Sequence, residues 1–249
     1  MIVLKSHDEI ETMRVANGIV VEVMDLMAEQ IVPGVRTIDL NAMADEHIRR
    51  RGAIPSFVGY HGYQHALCTS INEEVVHGIP GDRTLQEGDI ISIDCGVYWD
   101  GFHGDHARAF YVGENPPATI SRLLKVSEEA LGHGIAQMRT DKRLFDISAA
   151  VQHHVEAHGY SVVRDYVGHG IGRQLHEEPQ VPNFGRAGTG MKLLPGLVLA
   201  IEPMVNAGKA DVRLLDDGWT VVTQDRSLSV HVEHSVALLE NGPRILSKG

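Results

Sequence analysis

The chain has 249 residues, 43% of them hydrophobic and 22% charged, with a formal net charge of −11. That size can bury one large core or two fused ones, and the acidic balance, without a long Lys/Arg run, argues against a surface for direct nucleic-acid binding. The longest apolar stretches, such as LVLAI, fall far short of a membrane span, and the N-terminus MIVLKSHDEIETM turns charged too early for a signal peptide.

Ser6-His-Asp-Glu9 is a capping-box pattern. Ile10, Met13, Val20, Met24, Met27 and Ile31 follow at spacings near three and four, with a gap around Asn17. They predict a long amphipathic helix stopped by Pro33-Gly34. Thr37 is the expected cap of a second helix running to 51, with Gly52 as its C′ residue. Residues 66–76 and 89–99 read as strands. Cys68 and Cys95 fall in these runs, form no CxxC pair, and read as free thiols of a reducing cytoplasm. Helices are predicted at 119–138 and 144–158, the latter ended by Gly159. Strand-like runs follow at 161–167, 197–202, 219–223 and 229–238. Helix, helix, strands therefore occurs twice. This order predicts a single α+β domain over 1–249 with pseudo-repeats of roughly 1–115 and 116–249, divided near GENPPA at 113–118. No identity repeat accompanies it.

The stretch IISIDCGVYWDGFHGDHARAF, 90–110, holds the first chemical signal. If Asp100-Gly101 centres a tight hairpin turn, cross-strand partners sum to 201 and Asp94 faces Ala107. Asp105 then shares the face of Asp94, with the two Cα atoms roughly 7–8 Å apart on the diagonal. A solvated polar face is the ordinary fate of such acids. IISID, however, is nearly continuously apolar, as in a strand buried on both faces, and a buried ionised carboxylate needs a partner. No Lys occurs here, and Arg108 has the wrong parity, so a metal role is favoured.

Other polar residues sit in similarly apolar or Gly-rich settings: His77 in VVHGIP, His169 in VGHGIG, His176 in LHEEP, Glu202 closing LVLAIE, and Glu233 in VHVEHS. Each histidine alone reads more simply as a satisfied structural residue, whereas Glu202 is the strongest single oddity, because a carboxylate at the end of a buried strand is costly unless paired. Pooled, Asp94, Asp105, Glu202 and Glu233 would carry four negative charges, which two divalent cations would neutralise, with His169 adding a neutral nitrogen. Mixed carboxylate and imidazole donors suit Mn, Fe, Co or Zn, and a close pair of such ions is a hydrolytic arrangement.

YHGY at 60–63, CTSINEEVVHGIPG at 68–81, IDCGVYWDGFHGDHA at 93–107, GHGIGRQLHEEPQVPN at 168–183, IEPMVNAG at 201–208, DGWTVVTQDRSLS at 217–229 and VEHS at 232–235 closely resemble the type I methionine aminopeptidases. The motifs occur in order and cover essentially the whole chain. The resemblance implies the pita-bread fold, two pseudo-symmetric α+β halves around a dinuclear metal site. It implies removal of N-terminal methionine from nascent proteins and peptides by a metal-bridging water, with small second residues favoured. By resemblance, Asp94 chelates one ion, Asp105 and Glu233 bridge both, and His169 and Glu202 complete the other. The two divalent ions would be Co, Mn, Fe or Zn. His77 would contact the substrate. His176 would hydrogen-bond the scissile carbonyl oxygen. Glu202 would shuttle the proton to the leaving amine. Tyr60, Tyr63, Cys68 and Trp219, joined by Phe57 and Leu175, would line the methionine pocket, an aromatic and sulfur surface suited to a thioether. The expected partners are N-termini of nascent polypeptides, with transient ribosome association. A cytoplasmic monomer of the short bacterial form is expected.

Two stretches depart from the family pattern. His106 stands where a small hydroxyl is usual. SVHVEHS replaces SAQ-aromatic-EHT, so His231 stands for Gln and Val232 for the aromatic. By parity, His106 and Val232 point away from the neighbouring ligands, whereas His231 shares the face of Glu233. Plain replacement of a supporting hydrogen bond is the simpler reading. A divergent paralogue with altered metal preference, activity or substrate range is the alternative. A proline-specific peptidase and a non-catalytic binder are less favoured, because the first usually has a further N-terminal domain and the second usually loses ligands. His154 and His158, at i,i+4 around Glu156, could in principle hold zinc, but the sequence is HHVEAH and not HExxH. No G-x-S-x-G elbow is present.

Overall fold

The computed structural model describes residues 2–248. The capping box forms as the sequence predicts: the Ser6 hydroxyl accepts from the Glu9 amide and the Glu9 carboxylate accepts from the Ser6 amide, opening α1 (His7–Gln30). Asn17 explains the gap in the apolar stripe. It is fully buried, and its Nδ2 donates to the Met13 carbonyl at 2.9 Å. Thr37 does not cap α2 (Thr37–Arg50). Arg36 holds that position, and the Thr37 hydroxyl instead donates to the Gly81 carbonyl at 3.1 Å. Gly52 takes the left-handed conformation beyond the helix end, with φ 71°.

The strands β1 (Ile54–Pro55), β2 (Leu67–Ile71), β3 (Glu74–Val76), β4 (Ile90–Trp99) and β5 (Phe102–Tyr111) follow. The predicted strand over 66–76 is broken because Asn72 adopts φ 59°, which folds the run into a turn. After α3 (Ala118–Ala136) and α4 (Leu144–Ala157) come β6 (Ser161–Val162), β7 (Gly168–Gly170), β8 (Glu177–Val181), β9 (Val198–Ile201) and β10 (Met204–Asn206). The last strands are β11 (Val212–Leu214), β12 (Val221–Thr223), β13 (Ser229–His231), β14 (His234–Leu239) and β15 (Gly242–Ile245). The predicted strand at 161–167 is shorter than expected, and that at 229–238 is interrupted at Val232-Glu233, where the chain leaves one sheet for another.

Strand β4 pairs with β5 along its whole length and with β2 and β1 elsewhere. A five-stranded sheet runs β15-β14-β9-β7-β8, and two three-stranded sheets run β13-β10-β6 and β11-β12-β3. Each helix pair covers apolar strand faces. Val20, Met24 and Met27 of α1 and Leu40 and Ile48 of α2 join Leu67, Ile91 and Ile93 in one core. Leu123, Ala130, Ile147 and Val151 of α3 and α4 join Leu199, Ile201, Val230 and Val236 in the other.

One close approach fixes α1 over the hairpin. A Cβ on Gly104 in β5 would lie 2.7 Å from the Asn17 backbone nitrogen, so the helix packs directly onto the strand next to Asp105. Gly104→Ala should therefore destabilise by about 1–3 kcal/mol through overpacking. Thermal unfolding would register it at about 2–4 °C per kcal/mol for a chain of this size, and an unchanged midpoint would contradict the close packing.

Candidate metal centre and adjoining pocket

The hairpin register is the predicted one. Asp94 faces Ala107, Gly96 faces Asp105, and Trp99 faces Phe102 across the two-residue turn. Asp100 and Gly101 both have positive φ, 46° and 87°, as the type I′ turn demands. Asp94 and Asp105 therefore share one face and line one cavity of about 240 Å³. The second sheet brings the remaining candidates to the same place. His169 is central in β7, Glu202 follows β9, and Glu233 occupies the break between β13 and β14. His169, Glu202 and Glu233 line that cavity together with His77, His176, Tyr60, Tyr63, Cys68, Trp219, Phe57 and Leu175. Every residue singled out for the site in the sequence thus meets in one chamber.

Hydrogen bonds between the two halves hold the acids in register. The Glu233 amide donates to the Ala107 carbonyl at 3.0 Å. The Ser235 hydroxyl donates to the Asp105 carbonyl at 2.8 Å and accepts from the Asp105 amide at 3.2 Å. The His231 amide donates to the Ser92 hydroxyl at 3.1 Å. Ligand atoms of Asp105, His169 and Glu233 lie within 4.8 Å of one another, the one such group among the described residues.

The electrostatics point to cations. Burial raises the Asp94 carboxyl to about 7, with the neighbouring Glu202 adding to the rise against the opposing pull of His231. Asp105 is raised by burial and then by Asp94 and Glu202. Glu233 is raised by burial and then by Asp105, Glu202 and Asp94, and Glu202 by burial. Asp94 Oδ1, Asp105 Oδ1 and Glu233 Oε1 are buried without a hydrogen-bond partner. Buried anionic oxygens in that state call for a counter-charge. His169 is prepared to help supply the site. Its Nδ1 donates to the Gly170 carbonyl at 2.9 Å, leaving the Nε2 lone pair directed to Glu202 Oε1 at 3.4 Å. Burial holds this ring neutral, with a pKa near 3. The donor set fits divalent ions of the Mn, Fe, Co and Zn type.

The pocket wall is equally ordered. Tyr63 donates its hydroxyl to the Leu67 carbonyl at 2.9 Å and packs against Trp219 at 4.9 Å between centroids. The Asp217 carboxylate accepts from the Trp219 and Thr220 amides, both at 2.8 Å, which fixes the indole's backbone. Burial keeps the Cys68 thiol protonated. His77 has φ 60°, an uncommon conformation for a residue with a side chain, and its ring is held neutral near 4, chiefly by burial. The Tyr60 hydroxyl lies 2.6 Å from His176 Nδ1. His61 also lines the chamber, edge-on to Tyr60. Nothing in YHGY distinguishes its role, because its placement depends on a left-handed residue, φ 47°.

The departing residues separate as parity predicts. His106 turns away, donates from Nδ1 to the Glu233 carbonyl, and stacks on His234 at 4.5 Å and 8°. Val232 is buried in the second core. His231 faces the acids, with Nε2 at 3.3 Å from Glu202 Oε2. On α4, His154 Nε2 lies 3.3 Å from Glu129 Oε2, while His158 Nδ1 donates to the His154 carbonyl at 2.8 Å. That pair is engaged locally.

Comparison with known proteins agrees with this geometry. The profile of "Metallopeptidase family M24" matches residues 11–240. The methionine aminopeptidase of Clostridium perfringens is 53% identical over 247 residues, covering 99% of each chain. The crystal structure of methionine aminopeptidase from Rickettsia prowazekii superposes with a TM-score of 0.98 at 41% identity, covering 100% of both chains. A prolidase from Pyrococcus furiosus shares the fold at 22% identity and a TM-score of 0.79, and the match covers 66% of that longer chain.

The raised carboxyls set a pH dependence. Their folded pKa values lie above the unfolded ones, so the ion-free protein is relatively stabilised below the unfolded values. It loses that contribution as pH rises through the folded ones, about 7 for Asp94. A divalent ion removes the penalty. The melting-point gap between ion-supplemented and chelated protein should therefore widen from about pH 5 to 8. A gap that stays constant or narrows in calorimetry would contradict the assignment.

Proposed function

The chain belongs to metallopeptidase family M24, with the pita-bread fold and methionine aminopeptidase activity, and from that premise we propose how its own residues carry out the removal of N-terminal methionine. Asp94, Asp105, His169, Glu202 and Glu233 would hold two divalent ions. When bound, the ions supply Lewis-acid polarisation of the scissile carbonyl and a water acidic enough to attack at neutral pH. The observation that carries this reading is the set of unpartnered buried oxygens on Asp94, Asp105 and Glu233 beside the lone pair of His169.

Glu202 is the proton carrier. Its burial raises its affinity for a proton, which suits a base that takes one from the attacking water. The carbonyl carbon–nitrogen bond then breaks, and the same proton passes to the departing amine of the shortened chain. His176 steadies the developing oxyanion. Its ring is held neutral by burial, and in the tautomer with the hydrogen on Nε2, Nδ1 accepts from the Tyr60 hydroxyl 2.6 Å away. That hydrogen is the one available to the carbonyl oxygen. Phe57, Tyr60, Tyr63, Cys68, Leu175 and Trp219 take the methionine side chain, and His77 contacts the substrate from the chamber wall.

Incubation with a Met-Ala peptide and an Ala-Pro peptide, with Mn, Co or Fe and with chelator, tests the reading. Met-Ala alone should be cleaved, and chelation should stop it. Cleavage of neither peptide with any of these ions would overturn it. Glu202→Gln should lower kcat by about 10²–10⁴-fold, and Tyr60→Phe, which removes the Nδ1 partner that orients the His176 ring, should lower kcat with little change in KM. A Tyr60→Phe effect confined to KM would place Tyr60 in the pocket wall alone.

A further inference from the structure

The residue that departs from the family pattern on the acid-bearing face is His231, and its ring reaches Glu202. It is 2% exposed, and Nε2 has no hydrogen-bond partner. That atom points into the acidic cluster, 3.3 Å from Glu202 Oε2. The contact mirrors a second one: His169 Nε2 lies 3.4 Å from the other Glu202 oxygen, Oε1. Two donors bound to one ion at roughly 2.0–2.2 Å with tetrahedral spread lie about 3.3–3.6 Å apart. Both imidazole–carboxylate contacts have that spacing. The backbone holds His231 in place from behind, its amide on the Ser92 hydroxyl and its strand paired through Met204. Asp94 bears electrostatically on the ring.

We propose that His231 Nε2 is a sixth protein donor of the metal centre, serving the ion that His169 and Glu202 hold, so that this ion has two imidazoles. The proposal rests on the five-ligand reading above and extends it. A glutamine side chain would offer an amide oxygen or a donor N–H there, whereas the neutral imidazole offers a nitrogen lone pair. The added nitrogen shifts the preference of the Glu202 position from Mn towards Zn, Co and Fe.

Protein carrying isotope-labelled histidine ring nitrogens and loaded with a spin-half cadmium isotope tests this directly through cadmium–nitrogen scalar coupling. Two coupled ring nitrogens are expected, from His169 and His231, and His231→Gln should retain only that of His169. Coupling to His169 alone in cadmium-saturated wild-type protein would overturn the proposal while leaving the five-ligand reading intact. Coupling to neither histidine would overturn both. Calorimetric titration with Co²⁺ gives a second readout. One of the two binding steps should weaken by about tenfold or more in His231→Gln, at an unchanged melting point of the ion-free protein, and unaltered affinity at both steps would overturn the proposal. Should the variant fail to fold, the wild-type coupling spectrum decides alone.

Discussion

Four buried carboxyl groups share one chamber, and the rest of the structure is arranged around keeping them there. Like charges in a low-dielectric interior repel strongly and cannot all remain ionised without counter-ions. The raised affinities of Asp94, Asp105, Glu202 and Glu233 for protons express that conflict in the ion-free chain. Two divalent ions would balance it by charge alone. The same balance makes folding stability, pH response and ion binding different views of one equilibrium.

The scaffold imposes the convergence through backbone more than through side chains. The tight turn at Asp100-Gly101 sets which strand face receives Asp94 and Asp105. The Glu233-to-Ala107 and Ser235-to-Asp105 hydrogen bonds then lock the second sheet against that hairpin, the first within the break that releases Glu233 from regular pairing and the second just beyond it. Such bonds have little slack, so the separation of Asp105 from Glu233 is inherited from strand register. Gly104 lets α1 lie directly on β5, so the hairpin is braced from the opposite side as well. A site braced by strands and a helix can be held to the tolerance that ligand geometry requires.

What could be read from the sequence follows from how local each feature is. The hairpin register was legible because two turn residues and period-two alternation fix it within about twenty residues. Glu202 was legible because a carboxylate ending an apolar run has few innocent explanations. The break inside 66–76 was not, because it depends on Asn72 adopting a left-handed conformation that its neighbours do not announce. Thr37 misled for a similar reason. Its hydroxyl had a competing carbonyl at Gly81, brought near only by the fold. Parity placed His231 on the ligand face, but its distance to Glu202 depends on how two non-adjacent strands meet, and no local pattern encodes that.

The histidines of the chamber show how one physical cause serves several purposes. Burial pushes His77, His169 and His176 towards the neutral form. Neutrality gives His169 a lone pair to share with an ion. It gives His176 one donor and one acceptor, with Nδ1 engaged by the Tyr60 hydroxyl. A charged imidazole in either place would repel the very cations that the acids require. The low dielectric that makes the carboxyl cluster costly without ions therefore also keeps the histidines in the state in which they can bind and donate. A substitution that admitted water to this chamber would relieve the acids and at the same time disarm the histidines.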